Sequence, residues 1–283
     1  MSEKWLLGII QNKVLENKQA NIKRAREMTE EAARAGARVV VLPEMFNCPY
    51  SSKFFPSFAE EYPGGETMSM LSETARTEKI YLFGGSVPEK ENGRIYNTCF
   101  VFGPDGQLLA RHRKAHLYDV ELSDGLCFRE SDTLGRGDTI TVVDTAFGKI
   151  GVGICYDIRF PEMVRAVSLR GATLMVIPAA FNMITGPAHW ELTFRMRAID
   201  NQIYMAGAAP ARNEEASYVA YGHSIVTDPW GKVVGSLDEK EGILVTEIDL
   251  LRLQQVRKEF PLLKHRRTDL YELKEMDKNQ SNN

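Results

Sequence analysis

The sequence predicts an α/β protein of the four-layer α-β-β-α sandwich kind, built from two similar halves. The strongest sign is an internal repeat. Residues 32–47, AARAGARVVVLPEMFN, align with residues 167–182, VSLRGATLMVIPAAFN, at a constant offset of 135, placing Gly36 on Gly171, Pro43 on Pro178 and Asn47 on Asn182. Fainter echoes pair KWLLGII with KIGVGIC, IYLFGGSVP with IYMAGAAPA, and the GPDG turn at 103–106 with DPWG at 228–231. In each copy a helical period gives way to a glycine and then to a short apolar run of strand length. Two such units bury their sheets most simply face to face, with the helices outside.

Taken in order, residues 5–10 form a strand and residues 20–34 an amphipathic helix that stops at Gly36. Residues 38–42, RVVVL, are a fully buried strand that ends in Pro43-Glu44. A loop rich in Pro, Gly and aromatics, suited to a rim or lid, leads to a helix over 67–78. Another strand spans 80–87, and 96–102 pairs with 107–114 in a hairpin about Gly103-Pro104-Asp105-Gly106, a strong turn signal. The hairpin closes on Lys114, between His112 and His116. Residues 117–138, which include Cys127, Phe128 and Glu130, are a long irregular stretch of the sort that is more often functional than idle. After a strand over 139–144, Ile150, Val152 and Ile154 alternate with Gly151 and Gly153 in a short buried strand that stops at Cys155. Pro161 opens a helix that Gly171 ends, and 188–201 is the last helix. Residues 1–273 are expected to form one domain, with halves of about 1–145 and 146–273 and a polar, disordered tail over 274–283.

With 283 residues, 43% hydrophobic and 26% charged, the chain has the composition of a soluble globular protein. Its net charge of −3, with both signs scattered, offers nucleic acid no basic face and a membrane no polybasic patch. The apolar run WLLGII is too short for a signal peptide or a membrane span, so a cytoplasmic location is the expectation. Four cysteines without a CxxC pair point to reduced thiols.

A strand that delivers a thiol to a sharp turn before a helix exposes a nucleophile, because the turn lifts the side chain clear of the sheet. Cys155 stands there; the plainer reading of such a cysteine is a small buried hydrophobe. A thiol with a pKa of about 8.5 needs a base or a cation beside it. The five histidines are scattered, and none adjoins the elbow. Glu44 follows directly on a continuous apolar strand, where a carboxylate is either solvated or held for its raised pKa. Glu44 would take the thiol proton and pass it to a leaving amine. Lys114, otherwise a surface ammonium, would hold the oxyanion together with the Tyr156 backbone N–H. The repeat sharpens this, since Ala179 replaces Glu44 in the second copy and Ile10 stands near the place of Cys155 in the first. The fold needs neither polar residue.

Pro43-Glu44, the Lys114 segment RKAHLYD and the elbow GICYDIRFPE resemble the Glu-Lys-Cys motifs of the nitrilase, or carbon-nitrogen hydrolase, superfamily. The resemblance runs from about Trp5 to Leu273. Within it, PEMFNCPYSSKFF, PAAFNMITGPAHWELTFRMRAIDNQIY and ARNEEASYVAYGHS are similar to its omega-amidase branch, with Met45 where Cys is common and Ala180 where Gly is. The resemblance implies a sandwich fold, no cofactor, and a homodimer or larger assembly, with residues 260–273 crossing onto a neighbour. It also implies a second carboxylate after the lysine, which FRES supplies as Glu130, to orient Lys114 or the attacking water. The implied reaction is hydrolysis of the terminal amide of a small dicarboxylate monoamide, 2-oxoglutaramate or 2-oxosuccinamate, through a thioester on Cys155. Tyr50, Lys53, Arg159 and Thr185 are candidates to hold the substrate carboxylate. For Arg159, part of the superfamily-wide motif, a structural ion pair outweighs that role. Phe181 either packs, as its repeat partner Phe46 suggests, or flanks Cys155.

Other readings stand beside this one. An N-carbamoyl amine or deaminated-glutathione amidase would keep the same Glu, Lys and Cys and change the loops near Tyr50 and Thr185. A binding protein on an old hydrolase scaffold would lack a catalytic residue. His112 and His116 are four apart, but at a strand end they are not expected to converge, and no third ligand is near; a metal site is rejected. Gly151-x-Gly153 lacks the third glycine of a dinucleotide fingerprint, with Tyr156 in its place. Asn279-Gln280-Ser281 is a formal glycosylation sequon that has no meaning without secretion.

Overall fold

The computed structural model describes residues 3–121 and 127–276. Each copy of the repeat lays down three parallel neighbouring strands joined through helices. The first copy runs strand Lys4–Gln11, helix Lys18–Arg34, strand Val39–Val41, helix Glu66–Glu78 and strand Tyr81–Phe83. The second runs Gly148–Val152, Pro161–Leu169, Leu174–Pro178, Thr185–Asn201 and Tyr204–Ala208 in the same alternation. Glycines past two helix ends, Gly36 at φ +96° and Gly171 at φ +91°, turn the chain back to the sheet in both copies.

The period of two decides what each face meets. Leu7, Ile9, Val39, Val41 and Phe83 point inward and pack with Ile150, Val152, Val176 and Ala206 of the second sheet. Ile10, Val40, Leu42 and Leu82 point outward onto Ile22, Ala25, Met28 and Leu71 of the helices. The far face of the second sheet is covered by Val164, Val167, Trp190 and Phe194. The layers therefore run helix, sheet, sheet, helix. These apolar side chains are almost completely buried, and the Val, Leu, Ile, Met and Phe among them are each worth about 1.5–3 kcal/mol relative to exposure.

Several features differ from the sequence reading. The strand expected over 80–87 breaks at Gly84-Gly85, and the chain resumes as Val87–Glu91, paired with Arg94–Phe102. The break lets Ser86 donate its backbone N–H to Pro43 O and its hydroxyl oxygen accept from Met45 N, which holds the turn that carries Glu44. A helix follows residue 201 after all: Leu250–Glu259, capped by Asp249 and buried through Leu250, Leu253 and Val256. Its buried residues are spaced three apart, but Leu251 is apolar as well and exposed, which blurs the periodic signal. The halves also exchange edge strands. Gly242–Asp249 pairs antiparallel with Lys4–Gln11 in the first sheet, and Thr141–Thr145 pairs with Gly148–Val152 in the second. The polar tail expected from 274 is described as far as Met276, with Glu275 against the guanidinium of Arg170; residues 277–283 lie outside the described residues.

At Gly85 (φ +46°) an added Cβ would meet Pro43 O at 2.2 Å. Gly85→Ala is therefore expected to cost about 3 kcal/mol. Gly64→Ala, whose Cβ meets nothing closer than 3.5 Å, is expected to stay within about 0.5 kcal/mol of the parent. Urea unfolding of the two variants checks this, and equal midpoints would contradict it.

Candidate active site

At one end of the sandwich the strand ends bring Glu44, Lys114, Glu130 and Cys155 together, all buried. Lys114 Nζ lies 2.9 Å from Glu44 Oε1 and 3.0 and 2.8 Å from the two oxygens of Glu130. Burial alone would push the ammonium down, but the two carboxylates outweigh it and its pKa is raised. Glu130 is fixed in turn, accepting from Tyr118 N at 2.6 Å and from the Tyr50 hydroxyl at 2.8 Å. Glu44 accepts from Asn97 Nδ2 at 2.9 Å and from Ala180 N at 2.8 Å, and the Cys155 thiol is a further hydrogen-bond partner. One cation thus serves two buried carboxylates. Burial, backed by the charge of Glu130 and only partly offset by Lys114, raises the pKa of Glu44 above the usual carboxylate range. A carboxyl so placed can both take and return a proton.

Cys155 opens a 3-10 turn, Cys155–Arg159, at φ +45°, a left-handed conformation unusual for a residue with a Cβ. Asp157 holds the turn. Its carboxylate accepts from Ile154 N at 2.9 Å and His116 N at 2.9 Å, and lies 2.8 Å from His116 Nδ1 and 3.3 Å from His112 Nε2. Against the penalty of burial, the bonds from His112, His116 and Ile154 hold this carboxyl well below the usual range. The expectation that the two histidines do not converge is therefore corrected: the turn after Lys114 swings His116 back, and both grip one carboxylate. Among the described residues no group of three or more His, Cys, Asp or Glu is arranged to hold a metal ion. Burial raises the Cys155 thiol well above its ordinary pKa, the charge of Glu44 adding to it. The resting thiol is neutral, and its activation falls to Glu44. Tyr156 N–H, at the first turn after Cys155, belongs to the donors that a helical start leaves without intrahelical partners.

The other candidates separate. Tyr50 joins the charged cluster, its hydroxyl 3.3 Å from Lys114 Nζ, and burial raises its pKa strongly. Lys53 is exposed, near the Phe54 ring, and lines neither cavity at the site. Arg159 makes no ion pair among the described residues, which corrects the ion-pair reading; its guanidinium lies 4.7 Å over the Phe181 ring with Nη1 3.1 Å from His189 Nδ1. Phe181 packs edge-on against Trp190 at 5.0 Å and also lines the cleft beside Cys155, so both roles offered for it are met. Thr185 lines the same cleft, with its hydroxyl 3.0 Å from Asn182 Oδ1. Two cavities reach the cluster. A wide one of about 300 Å³ touches Glu44 and Tyr50; a narrow one of about 10 Å³ touches Cys155, Tyr118, Arg159 and Thr185. Asn97, Asp157 and Tyr218 were not singled out from sequence. Asp157 carried the signal used for Glu44, a carboxylate just past a buried strand, and Asn97 is polar within the buried run of Arg94–Phe102.

Lys114→Met leaves two carboxylates buried without a cation and is expected to cost about 4 kcal/mol. Adding Glu130→Gln should return part of that cost. Urea unfolding of both singles and the double checks this, and strictly additive losses would contradict a shared ammonium.

Comparison with known proteins gives the family and the fold. The carbon-nitrogen hydrolase family profile matches residues 6–258. The chain is 51% identical to omega-amidase of Mus musculus over 265 residues, 94% of this chain and 96% of that protein. The fold is similar to that of a Saccharomyces cerevisiae member of the nitrilase superfamily, with TM-score 0.87 and 41% identity over 94% of this chain and 98% of the other. It is also similar to an amidase of Nesterenkonia sp. AN1, solved with acrylamide added at its active-site cysteine, with TM-score 0.74 and 26% identity over 91% of this chain and 98% of the other. With a buried Glu-Lys-Cys cluster at the strand ends of an α-β-β-α sandwich and a family match over most of its length, the chain belongs to the carbon-nitrogen hydrolase family.

Proposed function

We propose that the protein is a cysteine-dependent amidase that hydrolyses the terminal amide of a small dicarboxylate monoamide such as 2-oxoglutaramate or 2-oxosuccinamate. The observation that carries the mechanism is the position of Glu44, bonded at once to Lys114 and to the Cys155 thiol. Cys155 Sγ attacks the amide carbon while its proton passes to Glu44. The carbonyl electron pair moves onto oxygen, held by Lys114 and the Tyr156 N–H, each donor worth about 10²–10³ in rate. When the pair returns, the C–N bond breaks and Glu44 gives its proton to the departing nitrogen, which leaves as ammonia. Water then loses a proton to Glu44 and attacks the thioester; the C–S bond breaks and Glu44 returns the proton to the departing sulfur, which leaves the acid and the free thiol.

Two findings support the substrate class. The chain resembles omega-amidases along nearly their whole length. Arg159, without a carboxylate partner among the described residues, lines the cleft at Cys155 beside Thr185 and can meet the far carboxylate of such a substrate. The cleft is narrow, about 10 Å³, so its lining has to give way for a five-carbon substrate to enter.

Purified protein is expected to release ammonia from 2-oxoglutaramate far faster than from glutamine or from an N-carbamoyl amine, and Cys155→Ala is expected to abolish release. A higher kcat/KM on the N-carbamoyl amine would contradict the substrate assignment, and release by Cys155→Ala at the parent rate would contradict the mechanism.

A further inference from the structure

The two cavities at the site share only Ala180 and Tyr218. The nucleophile, Cys155, lines the narrow one alone, and the proton carrier, Glu44, lines the wide one alone. Tyr218 is the wall between them. Its hydroxyl donates to Ala180 O at 2.5 Å, and Ala180 N is the group bonded to Glu44. Its ring lies 4.7 Å from the ring of Tyr50 and 5.8 Å from that of Phe128, so aromatic contacts brace it as well as the hydrogen bond.

In the amidase reading, on which this inference rests, the leaving nitrogen departs from the carbon on Cys155 toward the carboxyl of Glu44. That path points at the wall. A nitrogen bearing only hydrogens reaches Glu44 and stops short of the ring, whereas an alkyl chain on it would run into Tyr218. Behind the ring lie about 300 Å³ of room, edged by Met45, Cys48 and Pro210, enough for a small aliphatic amine. We infer that Tyr218 determines leaving-group specificity: seated on Ala180, it confines turnover to unsubstituted amides, and the wide cavity is the room that a substituted amine would occupy were the ring absent. The bond accounting is the same for both leaving groups. Sγ–C forms, C–N breaks, the thiol proton travels through Glu44 to the nitrogen, and water completes the carboxylic acid.

The test compares wild type, Tyr218→Phe and Tyr218→Ala on 2-oxoglutaramate and its N-propyl amide. The same proteins are exposed to iodoacetamide and N-propyl iodoacetamide, with modification of Cys155 followed by intact mass and peptide mapping. Wild type is expected to prefer the unsubstituted compound by about 10² or more. Tyr218→Ala should lower that preference at least about tenfold, and Tyr218→Phe, which keeps the ring, should hold it near the wild-type ratio. Tyr218→Leu replaces the alanine variant if the latter does not fold. An unchanged ratio in the small-residue variant, or wild type accepting the N-propyl compound as readily as the parent, overturns the inference. The alkylation arm needs no turnover: Sγ displaces iodide and the amide stays intact, so inactivity on every amide would sink the amidase reading while this arm still shows whether the Tyr218 ring excludes an N-propyl group from the space beside Cys155.

Discussion

A single ammonium, that of Lys114, is shared between two carboxylates, all three side chains buried, and the geometry of the site depends on it. Taking ions out of water costs several kcal/mol each, and a buried ion cluster is weak as a device for stability alone. Here the charges do not balance: one cation faces Glu44 and Glu130, so the cluster favours one more proton. Glu130 is committed to Tyr118 N and the Tyr50 hydroxyl, which leaves Glu44 as the carboxyl that can accept that proton from the thiol. The imbalance supplies a carboxyl that can change state beside the thiol, a property an apolar core could not offer. Lys114 also ties the loops mechanically, because its backbone N–H donates to Asn97 O and its carbonyl accepts from Gly137 N.

The internal repeat explains how the two sheets divide the chemistry. Glu44 and Ala179 occupy equivalent positions, as do Met45 and Ala180. In the first copy the strand end delivers the carboxylate; in the second it delivers the Ala180 N–H that binds that carboxylate. Each copy also places a non-glycine residue at positive φ near a strand end, Met45 at 51° and Cys155 at 45°. The first is held by Ser86 and the second by Asp157 with its two histidines. Strain of about 1–3 kcal/mol at such residues persists only where neighbours over-determine the turn, and both neighbourhoods do so.

The layer order, the repeat and the convergence of Glu44, Lys114 and Cys155 were legible because each rests on a local signal: a period, a glycine stop, a polar residue at the end of an apolar strand. What escaped depends on contacts between distant segments. Arg159 looked like one half of an ion pair, yet what it meets is an aromatic face and a histidine brought in by the Thr185–Asn201 helix. Lys53 had the right charge, but its loop turns it outward. The edge strand Gly242–Asp249 pairs with residues more than two hundred positions earlier, and no local pattern announces such a partner. Tyr218 sits in a polar loop, and its importance comes from the rings and the Ala180 carbonyl that it meets.

The central claim is that Glu44 activates a thiol that is otherwise neutral. The most direct test is the rate of Cys155 alkylation by iodoacetamide between pH 4 and 9, in wild type and in Glu44→Gln. Because the pKa of Glu44 is raised, its ionised form is lost as pH falls through that raised value. The wild-type rate should therefore climb along an acid limb above the ordinary carboxylate pKa of about 4.3 and level off well below about 8.5, the value of a free thiol. Glu44→Gln should lack that limb and react slowly up to high pH. A single rise near pH 8.5, shared by both proteins, would contradict the account.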